Sequence, residues 1–136
     1  MGGFLGFLVI LFGICAACWS NVDADADTFF LRQFCNGGQF NAFDFVTPAA
    51  TTSILENVIV ETPKANLLNY YTDNTAAALH AHGLCTVSLS FDECADCMMS
   101  ALHQLLEKCS NEHIGAQIQL RDCRLRYETY PFRDDY

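Results

Sequence analysis

From residue 28 onward the hydrophobic pattern changes period several times, and each change marks an element. "TFFLRQFCN", residues 28–36, is rich in Phe and predicts a first strand, closed by the Gly37-Gly38 breaker of "NGGQF". Pro48 suits the first turn of a helix, where a missing N–H costs nothing. Behind it Ala50, Ile54, Leu55, Val58 and Ile59 fall at i, i+4, i+5, i+8 and i+9, one face of a helix that should end near Pro63. Its β-branched content lowers its propensity, so packing must hold it. "NLLNYYTDN" fits a short strand or a loop, whereas "AAALHAHGLCTVSL", residues 76–89, contains a strand. Ser90-Phe-Asp-Glu93 is a capping box, in which each terminal residue's side chain can bond the other's backbone N–H. The helix it opens runs through "CADCMMSALHQLLEKC", with Cys94, Cys97, Ala101, Leu102, Leu105 and Leu106 on one side and the neighbouring face. "SNEHIG" ends it, with Asn111 or Gly115 available for the turn.

The tail "AQIQLRDCRLRYETYPF" alternates. Ile118 and Leu120 share one face, while Cys123, Leu125 and Tyr127 have the other parity. A bulge or tight turn at Arg121-Asp122 accounts for the phase slip and gives two strands, or one bent strand. Helices on one face of an antiparallel sheet make an α+β class.

The first residues follow a different pattern. From Phe4 to Trp19 no charge or strong polar group occurs. The run is short for a membrane span, which needs roughly 20 residues, and it suits the apolar core of a secretory signal peptide. No Lys or Arg precedes it. Ala24 and Ala26 offer a cleavage point after Ala26, with a cut nearer Ser20 as the alternative. The expected organisation is a signal peptide over 1–26 and a single domain over 27–136, with no stable membrane anchor.

Charge narrows the function. The chain carries a formal net charge of -9 from 16 acids and 7 Lys and Arg; removing Asp23 and Asp25 leaves 14 acids against 7 bases, or -7. A nucleic-acid binder needs a positive surface, and the Arg cluster at 121–126 is too small to supply one. No N-x-S/T sequon is present.

Cleavage would remove Cys15 and Cys18 and leave six cysteines: Cys35, Cys85, Cys94, Cys97, Cys109 and Cys123. Three lie in "CTVSLSFDECADC" with spacing C-x8-C-x2-C. Zinc is one reading of the C-x2-C pair, with His80, His82, His103 and His113 as further ligands, but the remaining spacing is not that of a finger. A dithiol at a helix N-terminus is another. An even count in a secreted chain favours disulfides, whose pairing spacing alone does not choose.

The C-x8-C-x2-C spacing, a Cys twelve residues on, and "IGAQIQLRDCRLRYE" together resemble the ginkbilobin-type antifungal domain of plants, which also occurs in ectodomains of cysteine-rich receptor-like kinases and in plasmodesmata-located proteins. The resemblance covers about residues 27–132. It implies two helices against a five-stranded antiparallel sheet and three disulfides: Cys35 with Cys109, Cys85 with Cys94, and Cys97 with Cys123. It also implies mannose binding and antifungal action. The family's sugar site uses an Asn just after the first Cys, an Arg in the Gly-Ala-Arg segment and a Glu after the tail Tyr. Here these positions are Asn36, Gln117 and Glu128. Asn offers a donor and an acceptor, and a carboxylate accepts from two vicinal hydroxyls. Gln117 keeps a donor but lacks the charge and fork of Arg. Arg126 shares a strand face with Arg124 and Glu128 and can supply the missing guanidinium.

Bland roles compete with these. Asn36 can form an Asx-turn, Glu128 can be a solvated charge beside Arg126, and Gln117 can be plain surface. Tyr127 belongs to the core, while Tyr130 and Phe132 are the exposed aromatics. No nucleophile–base–orienter set is visible, so catalysis, a cofactor and a metal are not expected. The leading expectation is a secreted apoplastic defence protein that binds mannose or mannan-type wall glycan. The rival is an apoplastic module that recognises a protein partner and binds no sugar.

Overall fold

The computed structural model describes residues 25–38 and 47–134. The signal-peptide expectation, including Cys15 and Cys18, falls almost wholly outside the described residues. Five strands and two helices follow in the order β1 (Phe30–Cys35), α1 (Pro48–Glu61), β2 (Asn69–Asn74), β3 (Leu79–Cys85), α2 (Phe91–Cys109), β4 (Gly115–Leu120) and β5 (Cys123–Glu128). The strands form one sheet in the order β1-β4-β5-β3-β2, with every neighbouring pair antiparallel. The expected α+β class, two helices against a five-stranded sheet, is the observed one.

α1 begins where Pro48 takes the first turn and Thr47 caps it, its hydroxyl accepting from the Ala50 N–H at 3.1 Å. Ile54, Leu55, Val58 and Ile59 are buried along its length, and Ala50 sits half-covered at its start. The helix gives way to a single 3-10 turn at Thr62–Lys64, because Pro63 has no N–H to continue the ladder. The segment that read as strand or loop resolves into both: a 3-10 turn at Asn66–Leu68, then β2.

α2 carries the capping box. Glu93 N–H donates to Ser90 Oγ at 3.2 Å, and Ser90 N–H donates to Glu93 Oε2 at 2.6 Å. Cys94, Cys97, Met98, Ala101, Leu105 and Cys109 are buried on its inner face, while Leu102 and Leu106 are half-covered at its margin. The turn after it differs in part from expectation. Asn111 lies in the turn, as expected, but Ser110 rather than Asn111 or Gly115 takes the positive φ, 46°. The Asn111 amide instead donates to Pro48 O at 3.3 Å and Thr52 Oγ1 at 3.0 Å, tying the two helices together. Gly115 opens β4.

The phase slip in the tail is a two-residue hairpin turn at Arg121-Asp122 between β4 and β5. Reversal of direction brings both parities to one side, so Ile118, Leu120, Cys123, Leu125 and Tyr127 all pack under the helices. The turn is held by residues ahead of β1: Arg121 N–H donates to Phe29 O and Asp122 N–H to Asp27 O, each at 3.1 Å.

All six domain cysteines are joined, Cys35–Cys109, Cys85–Cys94 and Cys97–Cys123, with Cα separations of 5.3, 5.7 and 6.0 Å. The C-x2-C pair is therefore neither a pair of thiolate ligands nor a dithiol. Cys94 reaches β3 and Cys97 reaches β5, so α2 is stitched to two strands at its start and to β1 at its end.

Candidate functional site

At one end of the sheet the close of β1, the start of β4 and the close of β5 lie side by side. Asn36 N–H donates to Gly115 O at 2.8 Å, and Gly115 pairs with Glu128 across the β4–β5 ladder. Gly115 is required there by space. A Cβ on it would lie 1.9 Å from Glu128 Oε2 and 2.8 Å from Cδ, so the carboxylate packs directly on the glycine. The fold thus brings Asn36 and Glu128 together from opposite ends of the domain.

Asn36 serves two structures at once. Its Oδ1 accepts from Gly38 N–H at 3.3 Å, an Asx-turn, and its side chain lies near enough to the Glu128 carboxylate to favour the charged form. Its backbone carbonyl accepts from His113 Nδ1 at 2.7 Å.

Glu128 is not a solvated charge; it is 4% exposed. Arg126 Nε donates to its Oε1 at 3.1 Å, whereas Oε2, buried over Gly115, has no hydrogen-bond partner among the described residues. Burial pushes the carboxyl above its usual range, and the Arg126, Asn36 and Tyr130 side chains pull back only part of the way. Tyr127, the preceding residue, is fully buried, and its hydroxyl donates to His113 O at 2.8 Å.

Arg126 stands beside Glu128 on β5 but is shared. Its Nη1 donates to Asp134 Oδ1 at 2.7 Å, its Nη2 reaches Tyr130 Oη at 3.5 Å, and its guanidinium lies 4.1 Å over the Phe132 ring. Burial works against the charge, yet the Asp134 and Glu128 carboxylates outweigh it and hold the guanidinium above its ordinary pKa. Tyr130 is exposed, as expected, but Phe132 is half-covered by this stack. Gln117 is paired with Arg126 in the ladder, but no hydrogen bond joins its amide to Asn36 or Glu128. It lines a separate depression of about 290 Å³ with Arg32, Phe34, Gln119 and Arg124.

Sequence reasoning missed Asp134. After β5 the chain turns back over the outer face of the sheet, the one away from the helices, and plants this carboxylate among three cationic or donor groups. His82 Nδ1 lies 2.7 Å from Oδ2, Arg124 Nη2 lies 3.2 Å from the same oxygen, and Arg126 holds Oδ1. Burial raises the Asp134 pKa, but the His82, Arg126 and Arg124 contacts dominate and bring it down to about 2. Two arginines at alternate positions of one strand face imply acidic partners, but periodicity could not say that one comes from the tail. His82, first read as a possible metal ligand, is occupied: its Nε2 lies 2.6 Å from Asn69 Oδ1.

These features define a disulfide-clamped, two-layer α+β domain with a buried carboxylate at one sheet end and a tail strapped across its polar face. The chain belongs to the Salt stress response/antifungal family, whose model matches residues 34–130. That span includes all six paired cysteines and Asn36, Gln117, Arg126 and Glu128, and stops short of Asp134. The chain is similar to antifungal protein ginkbilobin-like protein 1 of Picea glauca, 33% identical over 57 residues that cover 42% of this chain and 40% of that protein. It is also similar to its Picea sitchensis counterpart, 36% identical over 55 residues, 40% and 41% of the two chains. The matches thus span less than half the length of these two curated relatives. In fold it resembles the tandem DUF26 ectodomain of the Arabidopsis thaliana cysteine-rich receptor-like protein PDLP5, with a TM-score of 0.63 at 19% identity, over 76% of this chain and 51% of that one. The corresponding PDLP8 ectodomain gives 0.61 at 23% identity, over 75% and 49%.

Proposed function

We propose that this chain is a secreted, non-enzymatic defence protein that acts in the apoplast and takes a mannose-type wall glycan at the Asn36–Glu128 end of the sheet. Its relatives named as antifungal proteins support the defence role. The observation that carries the sugar reading is Glu128 Oε2. It is a buried acceptor with no donor among the described residues, and an unmet acceptor in a covered site gains most from a ligand hydroxyl. Asn36 adds an amide at the same carboxylate, and Arg126, rather than Gln117, supplies the guanidinium. Processing to a domain starting at Asp27 fits this reading, because the Asp27 nitrogen lies 2.6 Å from Asp122 Oδ2, where a new ammonium terminus would be well placed. N-terminal sequencing of the exported protein tests that point.

The sugar reading is tested by titrating the protein with mannose and mannan, alongside Asn36→Ala and Glu128→Ala. Binding by the parent and its loss in both variants is expected; equal binding by all three would clear these residues of the role. A second reading, recognition of a protein partner without sugar, is favoured by the exposed apolar side chains Phe29, Leu31 and Phe34 in and beside edge strand β1. No binding of mannose or mannan by the parent would favour it.

A further inference from the structure

A cavity of about 630 Å³ opens on the outer face of the sheet, and none of Asn36, Gln117, Arg126 or Glu128 lines it. Its volume lies inside the ~300–1,000 Å³ range of small-molecule sites. β2 and β3 form one side and the tail forms the other. Tyr71, 44% exposed on β2, meets Phe132 of the tail edge to face, with ring centroids 5.6 Å apart and planes at 77°. His82, also in the lining, is fixed at both nitrogens, 2.7 Å from Asp134 Oδ2 and 2.6 Å from Asn69 Oδ1. That contact engages the Asn69 carbonyl and leaves its amide N–H2 as the remaining group at an exposed rim. The exposed Arg133 adds a guanidinium to the lining.

Aromatic faces beside a few donors are the combination a pyranose uses. The apolar C–H face of the ring lies on the aromatic ring, and the ring hydroxyls accept from the amide and the guanidinium. A purely hydrocarbon ligand would bury those donors unmet. The position of the cavity is equally informative. Arg126 touches Glu128 Oε1 with Nε at 3.1 Å, Asp134 Oδ1 with Nη1 at 2.7 Å and the Phe132 ring at 4.1 Å. One side chain therefore separates the Glu128 site from the cavity wall.

We propose that this cavity is a second sugar subsite, joined to the first across Arg126, so that the ligand is an oligosaccharide whose further units lie against Tyr71 and Phe132. The proposal rests on the sugar reading of the Asn36–Glu128 site, and the following experiment separates the two. The full chain is titrated with mannose, mannotriose and mannopentaose and followed by nuclear magnetic resonance, together with Tyr71→Ala, Tyr71→Phe and Asn36→Ala; circular dichroism verifies folding. Affinity should rise roughly tenfold from mannose to mannotriose in the parent, an increment in the range of one good stacking contact. Tyr71→Ala should erase that gain and leave mannose affinity unchanged, Tyr71→Phe should keep most of it, and Asn36→Ala should lose mannose. If mannose binds and depends on Asn36 but longer chains gain nothing, or gain equally in Tyr71→Ala, the cavity assignment falls alone. If mannose is ignored while mannotriose still shifts the Tyr71 and Phe132 signals, the first site falls and the cavity stands. If no sugar binds, both fall.

Discussion

Toward the helices the sheet presents Leu79, Ala81, Ile118, Leu120, Leu125 and Tyr127, all fully covered. Away from them it presents His82, Arg124, Arg126 and Glu128, gathered around carboxylates rather than around a core. The covered side is stabilised by apolar burial, worth about 1.5–3 kcal/mol per large side chain, and by covalent closure. The other side depends on charges removed from water, whose worth hangs on each keeping its partner. The first arrangement tolerates changes of pH and salt. The second is conditional on each charge keeping its partner.

The difference can be broken hardest at the sulfur links. Cys35–Cys109 closes a separation of 74 residues, Cys97–Cys123 one of 26 and Cys85–Cys94 one of 9. On the chain-entropy estimate, replacing the first pair by Ser should cost about 4 kcal/mol and replacing the last about 2.5 kcal/mol, measured by denaturant unfolding. Equal losses would show that strain or residual structure, not closure, sets the ranking.

A smaller effect is expected at Gly115→Ala. The added methyl group collides with Glu128, so a loss of about 2 kcal/mol is expected, most of it recovered in the Gly115→Ala, Glu128→Ala double variant. Additive losses in that cycle would place the clash elsewhere.

Asp134→Asn tests the outer face itself. A carboxyl near 3.9 in the unfolded chain and about 2 in the folded one contributes about 2 kcal/mol above pH 4. The sign follows from the depressed pKa: the contribution is complete above the unfolded value and disappears as pH falls through about 2. The parent and Asp134→Asn should therefore differ at pH 7 and converge by about pH 2, whereas a difference independent of pH would refute the charge argument.

Glu128→Gln should have the smallest effect on stability, below about 1 kcal/mol at pH 7, because the burial that raises this carboxyl's pKa offsets its pair with Arg126. Its folded pKa is raised, so what this carboxyl contributes is present below its unfolded value and lost as pH rises through the folded one. Removing its charge relieves burial while releasing Arg126 to Asp134. A loss of several kcal/mol on unfolding would mean that the Arg126 pair outweighs the desolvation.

Much of the covered side was legible because periodicity reports burial. The spacing of Ile54, Leu55, Val58 and Ile59, the Ser90–Glu93 box and the parity change at Arg121-Asp122 each anticipated an element. Ser110 was missed because a positive φ at a serine has no composition signal. The outer face was half legible. Alternation placed Arg126 beside Glu128, but the depth of Glu128 depends on a missing Cβ across the ladder at Gly115, and the hold on Arg126 depends on a tail residue with no period to mark it.

The family match closes at residue 130, and the anchoring carboxylate sits at residue 134. The oxidative folding route and the carboxylate that fastens the polar side are thus written in separable stretches of the chain. A lineage could edit the codons after residue 130 and alter how that side is fastened, while each of the six paired cysteines still finds the same mate.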